Sequence, residues 1–259
     1  MSIKVSVIMA AYNGEAHIEE SVRSILGQTF KNFEFIIVDD GSTDGTVDKI
    51  QQIDDPRLRI VRQSNQGQTS ALIAAIQQAK GDLIARLDDD DCSLPDRLLR
   101  QVEFMNANPK VNLCGTRFIE KYGENLLPQR VYFAESNTEI KKVISFYNPF
   151  AHSSVMFRRD AYSKVGGYDK NFTICMDYDL WLRLMDVGEA YNINEVFTVI
   201  RLHKNSASMK QERLKTLESI EIRSRAYRKF RGNILLTGFY IFKSIVGLMA
   251  PSIVKRLPS

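Results

Sequence analysis

Four short apolar runs, each ending in a polar turn and each followed by a helix-like repeat, constrain this chain more than any other feature. Residues 4–11 (KVSVIMAA) read as a buried strand that stops at Tyr12-Asn13-Gly14. Ile18, Val22, Ile25 and Leu26 then recur at helical spacing, with Gly27 at the expected C-terminus. A second strand over 33–38 stops at Asp39-Asp40-Gly41-Ser42, a turn suited to capping a helix from near Thr43. A third strand over 58–61 precedes a helix from Gln68 to Ala79. A fourth over 83–87 runs into Asp88-Asp89-Asp90-Asp91, and Ser93 and Pro95 open a further helix to about Asn108. Alternation of this kind requires an α/β fold: a mostly parallel sheet with helices on both faces.

Beyond residue 111 the pattern is mixed. Strand-like pieces fall at 112–118, 154–157 and 190–199, and helical ones at 139–146, 160–165 and 176–185. No repeat of 20–50 residues and no linker rich in Pro, Gly or Ser interrupts the chain before about residue 205. At 259 residues it suits one α/β domain over 1–205 with a helical extension over 206–259. A hydrophobic fraction of 44% excludes a disordered chain, and three widely spaced Cys exclude a disulfide framework or zinc knuckle. A reducing, cytoplasmic compartment is the expectation. The apolar start is too short for a signal peptide.

In open α/β sheets, ligands bind beyond the carboxyl ends of the strands. Two acidic clusters fall there, Asp39-Asp40 and Asp88 to Asp91. If the second stays extended, Asp88 and Asp90 share one side, as strand side chains alternate. Paired carboxylates suit a hard cation, Mg²⁺ or Mn²⁺, with positions left for phosphate oxygens. The same run also suits a solvated acidic loop. Neither GxGxxG nor GxxxxGK[ST] is present, so any nucleotide is held differently. Asp39 can hydrogen bond a base or ribose, and Tyr12 can stack on a base.

Residues 5–15 (VSVIMAAYNGE) and 36–45 (IIVDDGSTDG) together resemble the start of family 2 glycosyltransferases. In the same order follow NQG at 65–67, ARLDDDD at 85–91, SLPDR at 93–97 and NPFAHSSVMFR at 148–158. GGYD at 166–169, DYDLWLR at 177–183 and RLH at 201–203 complete the series. Each motif alone is weak, but their shared order over about residues 3–205 is specific. The resemblance implies a GT-A fold and inverting transfer of a sugar from a nucleoside diphosphate sugar, usually a UDP-sugar, to an acceptor hydroxyl. It implies that Asp39 contacts the uracil, that Ala11 and Tyr12 line the base, and that Asn65 lies in the same nucleotide loop. Asp88-x-Asp90 takes the place of the DxD motif. Asp90 is the expected metal ligand, with Asp88 beside it and Asp89 at the nucleotide. Asp177 is the expected general base, and His203 resembles a third metal ligand.

The sequence departs from the family in two places. Met176 stands where Glu often precedes the base, and Ala71-Leu72-Ile73 replaces an Arg-containing stretch that contacts diphosphate. Arg62 and Arg86 are the candidates to compensate. A helix N-terminus favours anions, so Asp177 is expected to stay ionised. Asp179 is expected to be structural, as a cap or as a partner of Arg183. Trp181 and His152 are expected to pack rather than touch substrate.

Residues 201–259 hold thirteen Lys and Arg against three Asp and Glu, so an acidic body carries a basic tail. Arg223, Arg225, Arg228, Lys229 and Arg231 precede an apolar stretch over 234–250, broken by Lys243. Thr237, Tyr240, Ser244 and Gly247 form a narrow polar stripe on it. Contact of 223–259 with the inner face of a membrane is the expectation. The alternative is a helical pair packed on protein. No nucleic-acid partner is expected, because no known motif or aromatic interleaving accompanies the basic run. The partners expected are a UDP-sugar donor and a lipid-linked saccharide acceptor of cell-surface polysaccharide synthesis. A sugar-1-phosphate nucleotidyltransferase would need a Gly-rich, Arg-containing loop after the first strand, which Tyr12 to Glu15 does not provide. A non-catalytic nucleotide-sugar binder is opposed by the retained Asp88, Asp90 and Asp177.

Overall fold

The computed structural model describes residues 4–127, 133–202, 211–231 and 234–249. The first half follows the alternation: β1 (Val5–Ala11), α1 (Ile18–Leu26), β2 (Phe33–Asp39), α2 (Thr46–Gln51), β3 (Leu58–Arg62), α3 (Gln68–Gln77) and β4 (Leu83–Arg86). Next come β5 (Cys92–Ser93), α4 (Arg97–Ala107), β6 (Val111–Tyr122), β7 (Asn125–Leu126), α5 (Asn137–Val143) and β8 (Met156–Arg158). The remainder is α6 (Arg159–Lys164), α7 (Met176–Leu184), β9 (Glu189–Leu202), α8 (Glu212–Phe230) and α9 (Ile234–Met249).

One sheet runs β3-β2-β1-β4-β8-β6-β9-β5, with β7 paired to β6. The strands β3, β2, β1 and β4 are mutually parallel, β8 is antiparallel to both its neighbours, and β6 runs parallel to β9. All seven residues of β1 and all seven of β2 are buried, as both sheet faces are covered. Val5, Val7 and Met9 pack with Ile18, Val22 and Ile25 of α1 and Leu98 of α4. Ile8 and Ala10 face the other way, toward Ala71, Leu72 and Ala75 of α3 and Trp181 of α7. Alternation along one strand thus feeds two cores.

Two local expectations fail. The acidic run is a turn, closed by the Asp91 N–H on the Asp88 carbonyl, because the chain must double back to pair Cys92 and Ser93 with Val199 and Thr198 of β9. Ser93 consequently belongs to β5 rather than capping a helix, and α4 starts at Arg97. Likewise α2 begins at Thr46, where Asp44 rather than the 39–42 turn meets the first helical N–H.

The two C-terminal helices pack on the domain. Arg225 of α8 donates to Asp179 of α7 at 2.8 Å, Lys229 pairs with Asp186, and Arg223 donates to Ser244 at 3.0 Å. Thr237 of α9 is 3% exposed and shares a 3.1 Å hydrogen bond with Ser145, and Tyr240 stacks on Phe146. The polar stripe of α9 therefore faces protein. Its opposite face carries Leu235 at 80% and Phe242 at 62% exposure, with Ile234, Leu236, Phe239 and Ile245 also exposed. Three of the basic side chains expected to lie on a membrane, Arg223, Arg225 and Lys229, are instead bonded within the protein. Among the described residues no helix is long and apolar enough to cross a membrane.

Candidate functional site

The carboxyl ends of β1, β2 and β3 meet in register, with Ala11 opposite Asp39 and Asp39 opposite Arg62. Asp39 is fully buried, and its Oδ1 accepts the Ser42 N–H at 3.2 Å. Its Oδ2 accepts no hydrogen bond among the described residues, and Arg62 Nε stands 3.6 Å away. A buried carboxylate oxygen left without a donor is costly unless a ligand supplies one. Gly41 has φ +80°, a conformation rare for side chains, and a Cβ there would meet the Asn65 nitrogen at 2.9 Å. Asn65 therefore lies against the Asp39–Gly41 turn. Asp40 fixes this loop by accepting N–H groups from Gln66 at 2.9 Å and Gly67 at 2.8 Å. Tyr12 is 50% exposed at the rim, and Ala11 is buried beneath it.

The second cluster follows β4. Oxygens of Asp88, Asp90 and Asp91 lie within 4.8 Å of one another. This is an all-oxygen donor set that fits a hard divalent cation. Turn geometry rather than strand alternation gathers them, and it adds Asp91, which the extended reading left out. Asp89 points the other way. Its Oδ2 accepts the Tyr12 N–H at 3.2 Å, and a Cβ on Gly14 would fall 2.6 Å from that oxygen. Asp89 thus ties the Tyr12–Gly14 loop to the acidic turn. Burial, then the neighbouring Asp90 and Asp88 charges, raise its carboxyl to about 7.

Arg86 lies under this turn, fully buried, with both Nη atoms on the Asp88 carboxylate. It is therefore a support for the acidic turn rather than a substitute for the missing diphosphate-contacting Arg. Burial alone would raise Asp88, but the Arg86 charge, with hydrogen bonds from Arg86 and Ser153, brings it below the usual carboxylate range. Asp91 moves well above that range, through burial and then the charges of Asp88 and Asp90. Ser153 bonds both Asp88, at 2.9 Å, and Asp91, and the Arg201 N–H reaches Asp91 at 2.8 Å. Arg201 also donates to Asp90 O at 3.0 Å and Glu20 at 2.7 Å. His203 lies outside the described residues.

Asp177 sits half-buried in the first turn of α7, and Asn148 Nδ2 donates to its Oδ2 at 2.8 Å. Burial raises its carboxyl to about 6. The Tyr178 N–H, the Arg86 charge and Asn148 oppose this shift, and the Asp88 charge adds to it. Desolvation thus outweighs the helix terminus, yet at about 6 the carboxyl stays ionised at pH 7, as expected. Asn148 and Ser153, five residues apart, thus hold Asp177 and the Asp88–Asp91 turn respectively. Met176 is buried and offers no polar atom there. His152 and Trp181 are packing residues, as expected. The His152 ring shares a 2.8 Å hydrogen bond with Tyr168 and lies edge-on to the buried Trp181. Asp179 is fully buried between Arg183, as anticipated, and Arg225, which spacing along α7 could not reveal. Asn148 stood within a recognised motif, but only the folded chain shows that it holds Asp177.

Comparison with known proteins gives a concordant result. Residues 6–166 match the profile of glycosyl transferase family 2. The chain is 32% identical over 244 residues to O-antigen biosynthesis glycosyltransferase WbnJ of Escherichia coli, covering 91% of this chain and 92% of that protein. It is 34% identical over 208 residues to an Escherichia coli enzyme, UDP-Glc:alpha-D-GlcNAc-diphosphoundecaprenol beta-1,3-glucosyltransferase WfaP, covering 79% of each. Among solved structures it resembles mannosyltransferase PcManGT from Pyrobaculum calidifontis, in complex with GDP-Man and Mn²⁺. That likeness has a TM-score of 0.70 at 19% identity and covers 100% of this chain and 77% of the other.

Proposed function

The chain belongs to glycosyl transferase family 2 and has the GT-A fold, and from that premise we propose that it moves a hexose or N-acetylhexosamine from a UDP-sugar to a hydroxyl of a lipid-linked saccharide acceptor, with inversion, in cell-surface polysaccharide synthesis. The observation that carries this reading is that one short segment holds both groups: Asn148 bonds Asp177, and Ser153, five residues on, bonds Asp88 and Asp91 of the acidic turn.

Each group has a task its surroundings suit. The Asp39 Oδ2, which accepts no hydrogen bond among the described residues, accepts the imide N–H of uracil, Tyr12 and Ala11 bound the ring, and Asn65 closes the loop side. Asp88 and Asp90, with Asp91 beside them, are the residues that would hold Mn²⁺ or Mg²⁺, and His203 is a further ligand on the family resemblance alone. Such an ion, when bound, supplies positive charge to the diphosphate as it leaves. Asp177 takes the proton of the acceptor hydroxyl. The freed oxygen forms its bond to the anomeric carbon on the face opposite UDP, and the old carbon–oxygen bond breaks with its electron pair on the diphosphate. Asn148 keeps the Asp177 carboxylate aimed for this transfer.

Donor and acceptor class follow WfaP, whose name gives a UDP-Glc donor and a diphosphoundecaprenol-linked acceptor. A peripheral membrane site fits a lipid-linked acceptor. The outward apolar face of α9 supports it, since exposing Leu235, Phe239 and Phe242 to water is unfavourable by about 25 cal/mol per Å². The 16 described residues of α9 fall short of the roughly 20 that a span needs, which favours a helix lying along the interface.

The test is UDP release from a panel of UDP-sugars with and without Mn²⁺. Wild type should turn over at least one donor only with the metal, and Asp177→Asn should be slower by at least ~10²-fold. Normal turnover by Asp177→Asn refutes the base assignment.

A further inference from the structure

The helix that carries Asp177 does not cap itself. Cys175, at the N-terminal boundary of α7, makes no side-chain capping bond. The residues that lead into α7 are held from α8 instead. Glu218 is 7% exposed, and its Oε1 accepts the Thr173 N–H at 2.8 Å. Its Oε2 accepts the N–H groups of Ile174 at 3.0 Å and Cys175 at 2.7 Å. Seven residues along the same face of α8, Arg225 donates to Asp179 at 2.8 Å. One face of α8 therefore grips α7 on both sides of Asp177, at Cys175 and at Asp179.

We propose that Glu218 is a positioning residue for sugar transfer: by clamping the 173–175 amides it fixes the first turn of α7, and with it the direction in which Asp177 meets the acceptor hydroxyl. The proposal rests on Asp177 being the base. Hydrogen bonds to a carboxylate are about twice as strong as neutral ones, and three converge here. A displacement of about 1 Å at a reacting group costs on the order of 10²-fold in rate, so a clamp outside the donor pocket can govern turnover without touching substrate. The C-terminal extension then has a second task beside any membrane contact.

Glu218→Gln in the full-length chain tests it, because glutamine fills the same volume but turns an NH₂ toward donors. Two readouts are needed: UDP release with the fastest donor of the panel and Mn²⁺, and amide hydrogen exchange by peptide. The expected result is a fall in kcat of about tenfold or more, with KM for the UDP-sugar within about twofold. Exchange over 173–179 should quicken while β1 to β4 stay unchanged. In the Asp177→Asn background, adding Glu218→Gln should cost less than about twofold more, because the group it positions is already disabled. Full kcat in Glu218→Gln overturns the proposal. So does unchanged exchange over 173–179, or an undiminished further loss in the Asp177→Asn background. If Glu218→Gln does not fold, Glu218→Asp, whose carboxylate is withdrawn by one methylene, takes its place with the same readouts. If Asp177→Asn turns over normally, the base assignment itself has failed. If Asp177→Asn is inactive while Glu218→Gln runs at full speed, only the positioning role is lost.

Discussion

At Asp177 two effects of opposite sign meet. The start of α7 favours a negative charge, while burial disfavours one, and burial wins by enough to bring the carboxyl to about 6. A base with that value is ionised at pH 7 yet holds a proton more readily than a surface aspartate, which suits it to accept one from an alcohol. Turnover should therefore be nearly flat above pH 7 and fall about tenfold per unit below about pH 6, as the protonated form takes over. A kcat profile from pH 4.5 to 8 checks this, and an acidic limb centred near pH 4 would mean that Asp177 is not desolvated as described. The motifs, in their order, named the candidate residues of the site. Their electrical state was not legible, since desolvation depends on packing from β8, α7 and α8 that no local spacing encodes. The same limit hid Asp91: a strand-period reading excludes it, and only the turn required by β5 pairing brings it beside Asp88 and Asp90.

Among the elements, the parallel strands were the most readable. Strands β1 and β2 are apolar but for Ser6, Glu34 and the closing Asp39, and Ala11 and Asp39, where they end, fall within a residue of the sequence boundaries because both faces are buried. Short or split elements were less so. The two residues of β5 form no pattern, and Ser93 with Pro95 suggested a helix start three residues early. The α9 helix shows a reversal that composition alone could not settle. Its polar stripe docks through Thr237 and Tyr240, leaving an apolar face outward, the opposite of an ordinary surface helix. Replacing Leu235, Phe239 and Phe242 by Ser should release the protein from vesicles of phosphatidylglycerol and phosphatidylethanolamine. Binding should fall at least about tenfold, with UDP-sugar hydrolysis in solution unchanged. Undiminished vesicle binding by the triple variant would show that α9 is not the attachment surface.

For the whole molecule, the sheet order does the assembling. It sets the ends of β1, β2 and β4 side by side, so that Asp39 and the acidic turn border one edge. The antiparallel β8 lets Ser153 brace the turn, and α7 brings Asp177 up from the opposite core. Alternation in the sequence foretold the parallel half of this sheet. The crossing of β6, β8 and β9 arises from long-range pairings with bulges in the β6–β9 register, which have no local signature. The central claim is that donor binding and proton removal reside in separate groups of one pocket. Calorimetric titration of UDP in the presence of Mn²⁺ into wild type, Asp90→Ala and Asp177→Asn tests it most directly. Asp177→Asn should bind UDP within about twofold of wild type, while Asp90→Ala should lose the metal-dependent part of the affinity, roughly tenfold or more. Equal affinity in all three proteins, or a loss confined to Asp177→Asn, would contradict it.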